Sequence, residues 1–575
     1  MMPGAAQATE AERIDAGRGA GDRDRAEKAK QAEGESEIYS RVVCGTLSGL
    51  AAEKVFVEAN VTSGFPSFHI VGLADTAIKE SKERVRAAIS NAGAAFPQQR
   101  VIVNLSPADI RKEGTHFDLP VAVSILAAGV GTGRRPAGQY RVEKGSVFFG
   151  ELSLDGSVVA IRGMLPLLIG LRSAGMKKFF IPAGNLREAS VVSGIRIYPV
   201  DDLRSLLDHL GGKKGIAPID TGSGDEVRKR WNEWENEDEE PLDFSDVEGQ
   251  EEAKRALQIA AAAMHNILLS GSPGSGKSML VRRLPGILPP LTYDERIELT
   301  KIYSVCGMLD EEKPVITRRP FRAPDTKITP AALTGGGRIP KPGEVSLAHL
   351  GVLFLDELPE YPRRSLEALR NPMEDERTSV SRTGGRVLFP SKFLTAAAMN
   401  PCPCGYLGDP RRKCVCTESE IRRYRAKLSG PFLDRMDLFV AVNSPDPARF
   451  ASASAAAHGG SSVSTAELRV GVLRARNAQE KRFSGEKISY NSQMTPRHLK
   501  RYCALSPGSE ALLRTAYRRM ALSVRACHRI LRVARTIADL EEAEHIEEMH
   551  IAEAIRYKEP VTENMAENMA ENKEK

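Results

Sequence analysis

The chain has 575 residues, 41% of them hydrophobic and 27% charged, with a formal net charge of +6. This composition suits several soluble globular domains, and it excludes a membrane span, since no apolar run approaches the required length. Four of the eight cysteines fall between positions 402 and 416, which argues against a secreted disulfide scaffold and for a reducing compartment with a metal site.

Residues 1–37 are polar and charge-mixed, with no apolar core of a secretory signal. They are expected to form a disordered tail on a cytoplasmic protein with no membrane contact. From 38 to 210, strand-like runs alternate with helical patterns. Val101-Ile102-Val103-Asn104-Leu105 reads as a strand, and 79–91 as an amphipathic helix ended by Gly93. An α+β domain is predicted there. Residues 211–242 read as an acidic linker carrying Trp231, Trp234 and the run Glu237-Asp238-Glu239-Glu240, a charge run of the kind that is ordinarily just solvated.

An ATPase core is predicted over 243–446. Asn266-Ile267-Leu268-Leu269-Ser270 is a buried strand entering Gly271-Ser272-Pro273-Gly274-Ser275-Gly276-Lys277-Ser278, a complete G-x-x-x-x-G-K-[ST] loop. Its backbone N–H groups would cradle phosphate, Lys277 would reach the β and γ phosphates, and the Ser278 hydroxyl would bind Mg²⁺. A helix is predicted to follow over 279–284, stopping before Pro285, its N-terminus adding a field that favours phosphate. Val352-Leu353-Phe354-Leu355 is a second buried strand, closed by Asp356 and Glu357. Asp356 would complete the Mg²⁺ shell, and Glu357 would orient and deprotonate the attacking water. Leu394-Thr395-Ala396-Ala397-Ala398-Met399 is a third strand, and it ends in Asn400, an amide able to hydrogen-bond that water or the γ-phosphate.

Directly after Asn400, Cys402, Cys404, Cys414 and Cys416 form two C-x-C pairs. In extended chain, residues two apart point the same way, so each pair could pinch one ion. Four thiolates make a closed zinc site. Unligated surface thiols and redox pairing are the alternatives. Arg422, Arg423, Arg425 and Lys427 form a basic cluster, and Arg435 lies between Asp434 and Asp437, where it either reaches a phosphate or makes a local ion pair. A flexible connection is expected over 447–464, then a helical lid over 465–558. In the lid, Ser523-Val524-Arg525-Ala526 opens a helix, and Arg514, Arg518, Arg519, Arg525, Arg529, Arg532 and Arg535 recur at three- and four-residue spacing. Those charges suit either DNA or a solvated face paired with Glu541, Glu542 and Glu544. Residues 559–575, with their Glu-Asn-Met-Ala repeat, form a low-complexity tail.

A P-loop domain, a helical lid and added arginines describe the AAA+ plan, in which a neighbouring subunit completes each site. Val247-Glu248-Gly249-Gln250, Arg319-Pro320-Phe321-Arg322-Ala323-Pro324 and Gly343-Glu344-Val345-Ser346-Leu347-Ala348-His349 resemble the magnesium chelatase-like AAA+ ATPases. More narrowly they resemble the YifB/ComM group, over about residues 38–560. The resemblance implies an α/β ATPase with Asn400 as sensor 1, Arg435 as the arginine finger offered to the adjacent subunit, and Arg525 as the lid's sensor-2 arginine. It also implies a homo-hexameric ring using ATP and Mg²⁺. The segment around Arg338 and Lys341 stands where this clade carries a pore-facing helix-2 insert, so both residues are candidate contacts to a DNA backbone. The alternative for each is a solvated basic turn. Asp325-Thr326 stands where many relatives carry two histidines.

The first domain resembles the Lon-protease/ribosomal-S5-like fold through Lys112-Glu113-Gly114 and Gly150-Glu151-Leu152-Ser153-Leu154-Asp155-Gly156. By that alignment His116 and Leu165 occupy the positions of a Ser–Lys dyad. Leu cannot serve as a base, and no peptidase activity is expected. For the YifB/ComM group the implied function is a ring motor on DNA, in branch migration during natural transformation. Two other classes compete: a chelatase motor subunit working through a partner, and a non-enzymatic scaffold. Lys277, Asp356, Glu357, Asn400 and Arg435 together argue against the scaffold.

Overall fold

The computed structural model describes residues 39–128, 140–235, 242–337, 340–382, 385–443, 463–520 and 522–558. Arg338 and most of the expected connection at 447–464 lie outside the described residues, as do both tails and the acid run at 237–240. Two compact units divide the chain, Met1–Val227 and Arg228–Lys575. Among the described residues no helix is long and apolar enough to cross a membrane.

The first unit is built on strands β1 (Tyr39–Ser48), β2 (Ala51–Thr62), β3 (Ser67–Val71), β4 (Arg100–Ser106), β5 (Ser146–Phe148), β6 (Glu151–Leu152), β7 (Val158–Val159), β8 (Lys178–Pro182), β9 (Arg196–Val200) and β10 (Ile219–Asp220). Eight of them form one mixed sheet in the order β10-β9-β8-β5-β1-β2-β4-β3, and β6 pairs with β7 as a separate two-stranded ladder. Strand β2 alternates buried Val55, Val57, Ala59 and Val61 with more accessible residues, the period-2 pattern of a sheet with one packed face. The helix Thr76–Asn91 begins one turn earlier than its apolar spacing suggests, because the Asp75 carboxylate caps the N–H of Ile78. The His116 ring lies tilted against Phe117 and bonds the carbonyl of Gly45 at 3.0 Å, and burial pushes its ring pKa down to about 4. Leu165 is core.

The described part of the segment read as a linker, residues 211–235, carries secondary structure. Strand β10 pairs antiparallel with β9, and Gly224–Glu235 is a helix. Trp231 on that helix is 1% exposed and packs against Tyr293, with ring centroids 5.3 Å apart. A buried indole contributes far more free energy than neighbouring charges lose by lying at a surface, so the helix Gly224–Glu235 is held in place by Trp231.

The second unit is a five-stranded sheet of β11 (Ile267–Ser270), β12 (Phe321–Arg322), β13 (Val352–Leu355), β16 (Leu394–Met399) and β17 (Leu438–Ala441). Between β13 and β16 the chain makes a hairpin, β14 (Arg377–Arg382) with β15 (Gly385–Pro390). The sheet order is β12-β13-β16-β11-β17 with every pairing parallel. Every residue of β11, β13 and β16 is buried, as parallel strands covered on both faces require. Because β16 lies between β11 and β13, the three strands end side by side. After the phosphate loop the helix Lys277–Arg282 stops earlier than expected, and Pro285 sits in the first turn of a second short helix, Leu284–Ile287. Pro is tolerated at that position because its missing N–H has no helical partner there. The helices Thr465–Arg482, Pro496–Tyr502, Pro507–Arg519, Val524–Leu540 and Glu548–Arg556 form the C-terminal part of the unit.

Candidate functional site

The phosphate loop leaves β11 at Gly271, where a side chain could not fit. A Cβ built there would lie 2.1 Å from the Val442 carbonyl oxygen. Gly276, just before the helix Lys277–Arg282, has φ +92°, a region costly for other residues. Gly271→Ala is therefore expected to displace the loop. An overpacking cost of about 1–3 kcal/mol, if felt wholly in binding, weakens ATP affinity by about fivefold to a hundredfold, readable by titration with a fluorescent ATP analogue.

Lys277 is only 8% exposed. Its Nζ donates to the carbonyls of Gly271 and Ser272 at 2.7 and 2.9 Å and stands 3.4 Å from Asn400 Oδ1. Burial lowers its pKa, while Asp356 opposes that shift. The Ser278 hydroxyl donates to Asp356 Oδ2 at 2.7 Å. Two ligands on adjacent positions of an octahedral Mg²⁺ shell lie about 3 Å apart, so these two oxygens fit one ion. Glu357 follows with φ +50° and is exposed. The Asp356 carboxylate accepts from its backbone N–H at 2.9 Å, which helps hold a non-glycine residue in the left-handed region where functional strain tends to collect. Glu357 and Asn400 line one cavity of about 420 Å³, with Pro403, Arg423, Tyr424 and Lys427. The P-loop, both carboxylates and the amide thus converge at neighbouring strand ends, the position at which open α/β sheets bind ligands.

Arg435 is held elsewhere. Its guanidinium pairs with Glu374 at 2.7 Å and donates to the carbonyl of Arg370, leaving 11% of the side chain exposed. The local pairs considered from sequence are not formed: Asp434 pairs with Arg529 and Asp437 faces His265. Asn266 positions the arginine loop by donating to the Arg435 carbonyl while its own oxygen accepts from Thr395. Arg435 and Arg525 line the same cavity, about 520 Å³, together with Glu374, Asp434, Arg529 and Arg532, and no residue of the phosphate loop lines it.

Two of the seven arginines in the lid pattern turn fully inward. Arg535 is buried on Asp539 and the carbonyls of Ala543 and Glu544, and Arg529 is buried on Asp434. Arg514, Arg518, Arg519 and Arg525 are exposed. The acids proposed as their partners pair elsewhere, Glu541 with Arg255 and Glu542 with Arg474.

The four clustered cysteines come together in a segment that has neither helix nor strand. The Sγ atoms all lie within 4.8 Å of one another. Cys402 to Cys404 is 3.4 Å, and Cys414 is 3.6 Å from each of those two. Thiolates about 2.3 Å from a tetrahedral zinc lie about 3.8 Å from one another, so the donor set fits that ion. The turn between the pairs touches the phosphate loop. A hydrogen bond from Ser272, then the N–H of Arg411, holds the Asp409 carboxyl down at about 2.

Lys341 is exposed, its backbone bridged antiparallel to Gly336. The β14–β15 hairpin was not anticipated from sequence. It buries Thr378, Val380 and Phe389 and exposes Arg377, Ser379 and Arg386; the alternation in Arg377-Thr378-Ser379-Val380-Ser381 was the available signal. The motifs that carried the family resemblance brace this region: Arg322 forks onto Glu344 at 2.7 and 2.8 Å, and Arg319 donates to the Leu350 carbonyl.

Three family profiles match this chain: "Magnesium chelatase, subunit ChlI" over residues 243–449, "Subunit ChlI of Mg-chelatase" over 57–185, and "Magnesium chelatase, subunit ChlI C-terminal" over 462–558. The competence protein ComM of Haemophilus influenzae is 38% identical over 524 residues, covering 91% of this chain and 97% of that protein. YifB of Escherichia coli is 37% identical over 512 residues, 89% and 95% of the two chains. The 38 kDa magnesium-chelatase subunit of Cereibacter sphaeroides is 26% identical over 222 residues, 36% of this chain and 60% of that one.

Proposed function

The chain belongs to the magnesium chelatase-like YifB/ComM family of AAA+ proteins, and from that premise we propose that it is a Mg²⁺-dependent ATPase that works as a homo-hexameric ring motor on DNA. One observation carries the reading. The phosphate loop, Asp356, Glu357 and Asn400 meet at the C-terminal ends of β11, β13 and β16, whereas Arg435 and Arg525 line a different cavity. A site divided in this way is completed when one protomer offers its arginines to the phosphate loop of the next, which makes hydrolysis depend on assembly. In this reading Gly271 to Ser278 bind ATP, Ser278 and Asp356 hold Mg²⁺, Glu357 is the base, Asn400 orients the water, and the two arginines stabilise transition-state charge. The first unit is a Lon/S5-like binding or assembly domain, and the four clustered cysteines hold structural zinc.

DNA is favoured by the coverage of ComM, a competence protein, and by cationic groups in one region. Arg377 and Arg386 of the hairpin line a cavity with Thr334, which directly precedes the insert bearing Lys341. Branch migration of recombining DNA is the specific task proposed. Junction DNA should stimulate ATP hydrolysis more than linear duplex, and log affinity should fall linearly with log salt, by about 0.9 for each phosphate contacted. Arg386→Ala should reduce that slope by about one. A DNA-independent rate with stimulation only by a porphyrin-binding partner would instead identify a chelatase motor, the second reading. Its relatives match 36% and 29% of this chain.

A further inference from the structure

The cysteine-bearing segment from 402 to 416 has neither helix nor strand. Its visible backbone order is a few turns, such as Gly405 N–H to the Cys402 carbonyl and Asp409 N–H to that of Tyr406. One C-x-C pair stands at each end of the segment, so an ion bound by all four sulfurs staples the ends together. Coordination free energy then becomes folding free energy for a loop with little else to order it. Four thiolates on a divalent ion leave a net negative site, which Arg411, Arg412 and Lys413 in the same loop offset.

What this loop rests on is the phosphate loop. Gly405 lies against Pro273 so closely that a Cβ there would be 2.6 Å from the proline Cδ. Asp409, whose side chain is 1% exposed, accepts from the Ser272 hydroxyl and from the N–H groups of Arg411 and Arg412 at 2.8 and 3.2 Å. Pro273 and Ser272 are both members of the phosphate cradle. A neighbour that braces the cradle from outside through one hydrogen bond and one close packing contact biases its backbone toward a single arrangement.

We infer that Cys402, Cys404, Cys414 and Cys416 bind a soft divalent cation, zinc, and that its occupancy sets nucleotide affinity by bracing Ser272 and Pro273 through Asp409 and Gly405. The inference rests on the ATP-binding reading of that loop. Coupling between two sites is reciprocal, so saturating nucleotide also tightens the hold on the metal. Cys-to-thiolate conversion accounts for the charge: each bound zinc displaces the thiol protons to solvent.

The test uses the full-length protein in three states: isolated with zinc, stripped by a chelator, and reloaded with zinc or cobalt. Metal content, cobalt absorption and affinity for a fluorescent ATP analogue with Mg²⁺ are measured in each. The expected result is one ion per chain, intense thiolate-to-cobalt bands, and an ATP affinity that falls about tenfold on stripping and returns on reloading. Asp409→Ala keeps all four thiols. It should hold metal as the parent does, bind ATP more weakly than the loaded parent, and lose less affinity on stripping than the parent does, because only the Gly405 contact to Pro273 still links the two loops. Equal ATP affinity in the stripped and loaded parent overturns the coupling, and absence of thiolate bands overturns the site. If no state binds nucleotide while the cobalt bands are present, the failure lies with the ATP-binding reading, and the coupling falls with it.

Discussion

Glu357→Gln protein is expected to bind Mg²⁺ and ATP with parental affinity and to turn ATP over about 10²–10⁴ times more slowly. The amide matches the carboxylate in size and leaves the backbone at φ +50° and its N–H bond to Asp356 unchanged. It also leaves Ser278 and Asp356 paired for the metal. Only the capacity to accept a proton from water is removed. Single-turnover and steady-state rates, with nucleotide affinity measured alongside, separate the two effects. Full turnover in the variant would remove Glu357 from the base role and reassign water activation to another group.

The second large effect concerns Arg435. Arg435→Ala should lower the maximal ATPase rate by about 10³-fold or more, in the range found when an arginine finger is lost, with a much smaller effect on ATP binding. The side chain is mostly buried on Glu374 and the Arg370 carbonyl, so offering it to a neighbour requires breaking that pair. Mixing is the decisive experiment. Lys277→Ala protein lacks its own phosphate contact but retains a finger, and Arg435→Ala protein has the reverse defect. Combined, they should regain part of the lost rate, because some seams between them contain one intact set. No regain on mixing, or a fully active isolated protomer, would refute a site shared between subunits.

Several elements were legible before any coordinates. Strand β13 was read residue for residue from Val352-Leu353-Phe354-Leu355, because four successive apolar residues bounded by Gly and Asp leave little alternative. Ser523 opens the helix Val524–Leu540 by capping Ala526 as its residue type implies. Other features were not legible. The β14–β15 hairpin alternates small polar residues with few large apolar ones, so its period is weak. The polar stretch before the ATPase core hid a helix whose order depends on Trp231 meeting Tyr293, a residue 62 positions away.

Sequence by itself determined which residues the proposed chemistry draws on: a glycine-rich loop with Lys277 and Ser278, the carboxylates Asp356 and Glu357, and four clustered thiols. Each of these is a short contiguous run whose backbone path follows from neighbouring residues. Only tertiary structure decided which partner each charge takes. Arg435 meets Glu374 and not its adjacent acids, Arg535 and Arg529 fold inward, and Asp409 reaches Ser272 across 137 positions. Long guanidinium and carboxylate groups pair with whatever the packed helices and strands bring within a few ångströms, and that proximity depends on the whole sheet and lid and not on local spacing.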